Sequence, residues 1–319
     1  MAVSSNLTYN TNGRAEDFHD LIYDISPTDT PLVSRAKRLK ASQTLHQWQV
    51  DALEAADTNA HIEGDDAAFA TAPTTTVLNN YTQISKKTLF ISRTAETVRK
   101  YGRKSEVARL LLKKGKELKR DIEFAAVRNQ VATAGAAASA RQSAGIECWL
   151  GGNRVIPAGN TTGTSPAITG GTASVAPTDG TSAAFAEVDL QNALQLAWED
   201  GGDPNLIMMS AKNKRHFNGF TGVATKYNEV KGATQANIIG AADVYVSDFG
   251  NHVAVLNRYM RDAAVLCLDP EYLGIAWLDS IRREELAKTG DGTKHQIVGE
   301  WTLVVQNPDA HAKVAGVGA

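Results

Sequence analysis

TAETVRKYGRKSEVARLLLKKGKELKRDIEFAAVRNQV, residues 94–131, is the longest regular pattern in the chain. Val98, Tyr101, Ala108, Leu111, Gly115, Leu118, Ile122, Ala125 and Asn129 recur at three- and four-residue steps, the spacing of one helix face. Thr94 suits an N-cap with Glu96 in the first turn, and no proline interrupts the run. The spacing predicts one helix about 55 Å long at 1.5 Å per residue. Gly102 and Gly115 each cost roughly 1 kcal/mol inside a helix, so they mark close packing or a slight bend. The segment is also basic: ten lysines and arginines between Arg99 and Arg120 are opposed only by Glu96, Glu106, Glu117, Asp121 and Glu123. Such a stripe is either a solvated helix face or a surface that meets phosphates without reading bases.

On the N-terminal side, residues 1–42 are polar and broken by Ser26-Pro27 and Thr30-Pro31 around the short apolar patch Leu21–Ile25. That is too little apolar surface to fold alone, and predicts either an arm lying on this subunit or a neighbour or a frayed terminus. Residues 43–92 read as a long two-stranded excursion. Thr44–Val50 alternates polar and apolar positions, an Ala-, Asp- and Thr-rich stretch carries the acidic turn Glu63-Gly64-Asp65-Asp66, and Val77–Ile84 and Thr88–Ser92 return as strand. A lone two-stranded ribbon is marginal in water, so this one needs a partner surface. Trp48 and Tyr81 on its strands and Glu63, Asp65 and Asp66 at its tip are the candidate intersubunit contacts.

On the C-terminal side, Ala132–Ala184 is a stretch of Ala, Gly, Thr and Ser expected to be surface loop, with Ile146–Leu150 tucked in as a short strand. An αβ pattern follows. Ser182 opens a helix whose apolar side is Val188, Leu190, Leu194, Leu196, Ala197 and Trp198, and Gly201-Gly202-Asp203-Pro204 ends it. Leu206–Met209 is a buried strand, Ala211–Phe220 a short helix, and 243–247, 252–256, 263–268 and 274–278 are further strands. Finally, His295–Gln306 alternates over a long strand with Ile297, Gly299, Trp301, Leu303 and Val305 on one face.

Composition narrows the function classes. The 319 residues carry Lys+Arg 33 against Asp+Glu 35, a formal net charge of -2, so no global field points at nucleic acid or membrane. The first residues have no basic segment followed by an apolar run, and no stretch approaches the roughly 20 apolar residues of a membrane span; a soluble, unsecreted chain is expected. Cys148 and Cys267 sit among apolar neighbours and read as buried free thiols. His61-Ile62-Glu63 has the H-x-E form of a zinc deaminase, but no P-C-x-x-C follows to complete a metal site. The hydrolase, zinc-protease and phosphate-loop motifs are absent, and the paired acids Asp65-Asp66 and Glu284-Glu285 are adjacent in sequence, which in strands sends them to opposite faces. No cofactor and no catalytic set is expected.

The order of elements then matters. An arm, an extended two-stranded loop, one spine helix, a glycine-rich linker, a compact αβ unit and a return strand resemble the α+β, HK97-like fold of tailed-phage major capsid proteins. Asn80–Ile84, Ile91–Ala95, Tyr101–Glu106 and Glu117–Glu123 look like the SU10-type major head protein family, and Val298–Asn307 is similar to that family's closing strand. The resemblance implies no enzyme but a virion capsid assembled in the host cytoplasm, an icosahedral shell of hexamers and pentamers around double-stranded DNA. It implies a portal and possible decoration or scaffolding proteins as partners, and no membrane. It further implies residues 93–180 as the first part of a peripheral domain, 181–280 as an axial domain around the local symmetry axis, and 281–319 as the peripheral return strand and C-terminus. Arg103, Lys104, Lys113, Lys114, Lys116 and Arg120 would face the DNA non-specifically. An encapsulin-like compartment is the alternative reading, followed by an enzyme with an unrecognised site or a tail component.

Overall fold

The computed structural model describes residues 28–54, 56–64, 66, 69, 73–161, 163–220 and 244–318. The apolar patch at 21–25 and Asp65 lie outside the described residues.

The expected rod at 94–131 is two helices. A short α-helix at Arg93–Thr97 is followed by a break and then by the long helix Glu106–Val127. The break has a local cause. Val98 is extended, and Gly102 sits at φ 74, a left-handed conformation that glycine adopts without a Cβ penalty. Ser92, not Thr94, caps the short helix by accepting from the Ala95 N–H, and Ser105 caps the long one by accepting from the Ala108 N–H. The Glu96 carboxylate accepts from the Glu106 N–H at 3.0 Å and the Val107 N–H at 3.4 Å, so the short helix covers the N-terminus of the long one. The long helix is therefore about 33 Å rather than 55 Å. Val98 and Tyr101, expected on the buried face, are exposed, whereas Leu118, Ile122 and Ala125 are buried as their spacing requires.

In chain order the elements are α1 (Pro31–Arg35), β1 (Lys37–Lys40), β2 (Leu45–Val50), β3 (Thr76–Tyr81), β4 (Gln83–Ser92), α2 (Arg93–Thr97) and α3 (Glu106–Val127). Then come β5 (Arg154–Val155), β6 (Ala167–Thr169), β7 (Thr172–Val175), α4 (Glu187–Glu199), β8 (Leu206–Met209) and α5 (Ala211–Phe217). β9 (Val244–Ser247), β10 (Gly250–Leu256), β11 (Ala264–Leu268), β12 (Leu273–Leu286), β13 (Gly292–Val305) and β14 (Ala312–Ala315) complete the chain.

Three sheets result. β12 and β13 form a long antiparallel hairpin flanked by β4 and, in parallel, by β1, giving the order β1-β12-β13-β4. β4, read from sequence as part of the excursion, thus belongs to this spine sheet, as does Gly274–Leu278, read as part of the αβ unit. The αβ sheet runs β5-β14-β11-β8-β10-β9, so the last strand of the chain returns here. The ribbon β2–β3 is extended by β7 and β6. The stretch at 132–184 therefore supplies three strands. Its apolar run is also not a strand: Ile146–Cys148 is a 3-10 turn, and Ile146, Cys148, Trp149 and Leu150 are fully buried.

The αβ sheet separates two cores, because successive side chains of a strand point to opposite faces. Leu206 and Met208 of β8 and Leu266 of β11 join α3, Trp149 and the spine strands in the larger core. Ile207, Met209 and Cys267 join Leu190 and Leu194 of α4 and Phe217 of α5 in the second. α4 begins later than expected, at Glu187, where the Asp189 carboxylate accepts from the Ala186 N–H at 3.3 Å. Val188 and Trp198, expected to be buried, are exposed. Both cysteines are free and buried, as their neighbours indicated, and burial pushes each thiol up to about 12.

Candidate functional site: assembly and nucleic-acid surfaces

The ribbon is positioned by its base. β2 and β3 pair antiparallel from Leu45↔Tyr81 to Val50↔Thr76. Trp48 turns inward against the larger core, its ring 5.4 Å from that of Trp149, so this candidate contact also roots the ribbon in its own subunit. Tyr81 is half-buried at the end of β3. Beyond Val50 the chain leaves the core. Glu63 and Asp66, the two described acids of the expected turn, are exposed.

Sequence reasoning missed what accompanies them. Leu53 is 99% exposed, Ile62 82% and Phe69 96%. Isolated exposed apolar residues are ordinary, but three large ones in the single stretch between β2 and β3 have no core of their own among the described residues. The available signal was three large apolar residues in an otherwise Ala-, Asp- and Thr-rich stretch; with no period to organise them, they read as loop.

The basic stripe divides. Arg103 and Arg109 both pair with Glu106, and Lys114 pairs with Glu117 at 2.7 Å. These contacts hold the two acids below their ordinary carboxylate range, chiefly through the hydrogen bonds from Arg109 and from Lys114. Arg103 and Lys104 lie in the break rather than on a helix. Lys104, Lys113 and Lys116 are exposed, with no ion pair among the described residues, while Arg120 is half-buried. Free cations thus remain on the outer side of α3, opposite Leu118 and Ile122. Lys87 of β4 pairs with Asp121 at 2.5 Å and fixes the helix on the spine sheet.

Two buried polar groups join the parts. Glu123 of α3 is fully buried and accepts from the Leu32 and Val33 N–H groups, both at 2.9 Å, and from Asn257 Nδ2 at 2.6 Å. One carboxylate therefore caps α1 from another helix and reaches the αβ sheet, although burial still pushes its pKa up. Glu147 is buried beside Arg261, which donates to it at 3.0 and 2.5 Å and to Asp179 at 2.5 and 3.2 Å. Lys313 Nζ donates to the Glu147 carbonyl at 2.9 Å, and burial lowers that ammonium to about 8. Each charge has a partner that accounts for it, and among the described residues no His, Cys, Asp and Glu group is arranged to hold a metal ion.

A long hairpin crossed by one spine helix, an αβ unit with two cores and a projecting ribbon are together the HK97-like fold of phage capsid proteins. Within that class, the chain belongs to the SU10 major capsid protein family, whose model matches residues 3–318. It is 41% identical over 128 residues to the major capsid protein of Escherichia phage Phieco32, a match that covers 40% of this chain and 36% of that one. The match thus spans little more than a third of that relative's length. Among solved structures, the capsid of cyanophage A-1(L) is similar with a TM-score of 0.65 at 11% identity, covering 98% of this chain and 99% of that one. The capsid of a native GTA particle gives 0.63 at 13% identity, covering 99% and 100%. At such identities the likeness is one of fold.

Proposed function

We propose that copies of this chain assemble as hexamers and pentamers into a closed icosahedral shell that encloses double-stranded DNA, as a non-enzymatic component of a virion built in the host cytoplasm. The observation that carries this is the ribbon. Its strands are rooted in the subunit, yet its tip presents Leu53, Ile62 and Phe69 almost wholly to solvent. Burying such side chains is worth about 1.5–3 kcal/mol each, a gain that a neighbouring chain supplies on assembly. Glu63, Asp65 and Asp66 then meet basic residues of that neighbour and set the register of the contact. Trp48 and Tyr81 hold the ribbon at the angle that reaches it. Lys104, Lys113 and Lys116, together with Arg103, Lys114 and Arg120, offer phosphate contacts that carry no sequence information. A portal and decoration or scaffolding proteins complete the set of partners.

Negative-stain microscopy of the purified chain tests the reading. Closed shells with nucleic acid inside are expected. Monomers, rings or tubes would refute it, and shells loaded with protein cargo would favour a compartment over a genome container.

A further inference from the structure

β3 and β4 belong to different sheets, yet a single residue joins them. β3 ends at Tyr81, β4 begins at Gln83, and between them lies Thr82. Each residue has two soft backbone dihedrals, so the direction in which the ribbon leaves the spine sheet turns on this position. Burial alone does not set that direction, because the packing of Trp48 on Trp149 is apolar and non-directional. Asn80 fixes where β3 ends: its Nδ2 donates to the Leu303 carbonyl at 2.7 Å, and its Oδ1 accepts from the Ala144 N–H at 2.9 Å. That anchor lies on the ribbon side of the pivot and leaves the angle beyond it free.

Thr82 itself is fully buried, and its three polar groups are each engaged by a different part of the chain. Its N–H donates to the Thr44 carbonyl at 2.8 Å, just before β2 starts at Leu45. Its carbonyl accepts from Arg141 Nε at 2.8 Å, and its hydroxyl donates to Glu300 of β13 at 2.6 Å. The Arg141 guanidinium also pairs with that Glu300 carboxylate. Thr82, Arg141 and Glu300 thus close a cycle in which each member touches the other two. Every link in it has an ionised donor or acceptor, the stronger class of hydrogen bond. The Arg141 and Glu300 side chains are largely buried, which strengthens these bonds further.

We propose that Arg141 and Glu300 are positioning residues, which fix the angle between the ribbon and the spine sheet by holding Thr82. Arginine suits the task because its rigid fork places two donors at once, one on the Thr82 carbonyl and one on the carboxylate. The lock is a property of one chain. Its consequence for a shell rests on the proposed role of the ribbon, since a ribbon held at one angle meets a neighbour in one register.

The test is the distance between spin labels on Gln49→Cys of β2 and Thr88→Cys of β4, read by pulsed electron resonance in the unassembled full-length chain. Both positions are exposed, and the native Cys148 and Cys267 are buried. One narrow distribution is expected. Thr82→Val removes the hydroxyl at nearly constant shape, and Arg141→Lys keeps the charge but loses the fork; each should widen the distribution by about twofold or more. Thr82→Ser should stay narrow, and a control pair within the spine sheet, Thr88→Cys with Ser280→Cys, should not change in any variant. A broad distribution in the parent chain, an equally narrow one in Thr82→Val and Arg141→Lys, a Thr82→Ser chain as broad as Thr82→Val, or equal broadening of the control pair would overturn the proposal. Shells of normal size from a chain whose ribbon angle has widened would uphold the lock and count instead against the ribbon as the contact between subunits.

Discussion

The αβ sheet and the β2–β3 ribbon solve the burial problem in opposite ways. β8 and β11 are buried on both faces, between α4 and α5 on one side and α3 with the spine strands on the other. Every residue of β8 therefore has its partners within the chain. The ribbon has a rooted base at Trp48, and the stretch beyond it leaves its large side chains almost wholly exposed. The contrast separates stability from the proposed assembly: the αβ unit holds the subunit together, and the ribbon is the part proposed to hold subunits to each other.

That separation makes predictions, and the largest effect belongs to the ribbon. Replacing Leu53, Ile62 and Phe69 together by Ser should abolish shell formation in microscopy and sedimentation. The unfolding free energy of the unassembled chain should change by less than about 0.5 kcal/mol, as for surface substitutions. A large stability loss would mean that the tip packs on its own subunit. Next comes Leu266→Ala, which opens a cavity in the larger core, on the face of the αβ sheet that packs with α3 and the spine strands. It should cost about 2–5 kcal/mol in denaturant unfolding, with or without assembly. Glu123→Ala should cost less, roughly 1–3 kcal/mol, because the Leu32 and Val33 N–H groups and Asn257 lose a buried acceptor.

A graded effect should follow pH. Burial lowers His311 from 6.5 to about 3, while its Nδ1 accepts from the Asp269 N–H at 3.0 Å. The unfolded chain takes up a proton below about pH 6.5 that the folded chain refuses, so this stability is full above pH 6.5 and is lost as the pH falls toward 3. Unfolding followed from pH 7.5 to 4 should show that slope, and His311→Gln should make it shallower. The smallest effect on the particle is expected from Lys104→Gln/Lys113→Gln/Lys116→Gln. Shells should form normally, while the salt dependence of DNA binding by capsomers should fall by about 0.9 in log–log slope per lost phosphate contact. An unchanged slope would leave α3 a purely structural spine.

The same contrast explains what was legible in the sequence. Leu206–Met209 was readable to the residue, because a four-residue apolar run between Pro204-Asn205 and a capping Ser210 has local boundaries. The face of β13 was readable because Ile297, Gly299, Trp301 and Leu303 alternate, and all are buried. The break in the long helix was written in Gly102, Ser105 and Glu96, yet the helical period on either side outweighed those capping signals. Ile146–Leu150 misled because a short apolar run does not tell a strand from a buried turn. Which sheet a strand joins was not local information. β4 pairs with β13 about two hundred residues later, and β14 closes the αβ sheet from the far end of the chain. At the candidate site the acids were visible as a charged turn, but the apolar trio was not, since its meaning depends on exposure rather than on spacing.

The claim that the ribbon tip is buried by a neighbouring chain is tested most directly at Phe69. With Phe69→Cys as a labelling site, the thiol should react with a maleimide at the rate of a free, exposed cysteine in the unassembled chain, and far more slowly in intact shells. Equal rates in the two states would contradict the account.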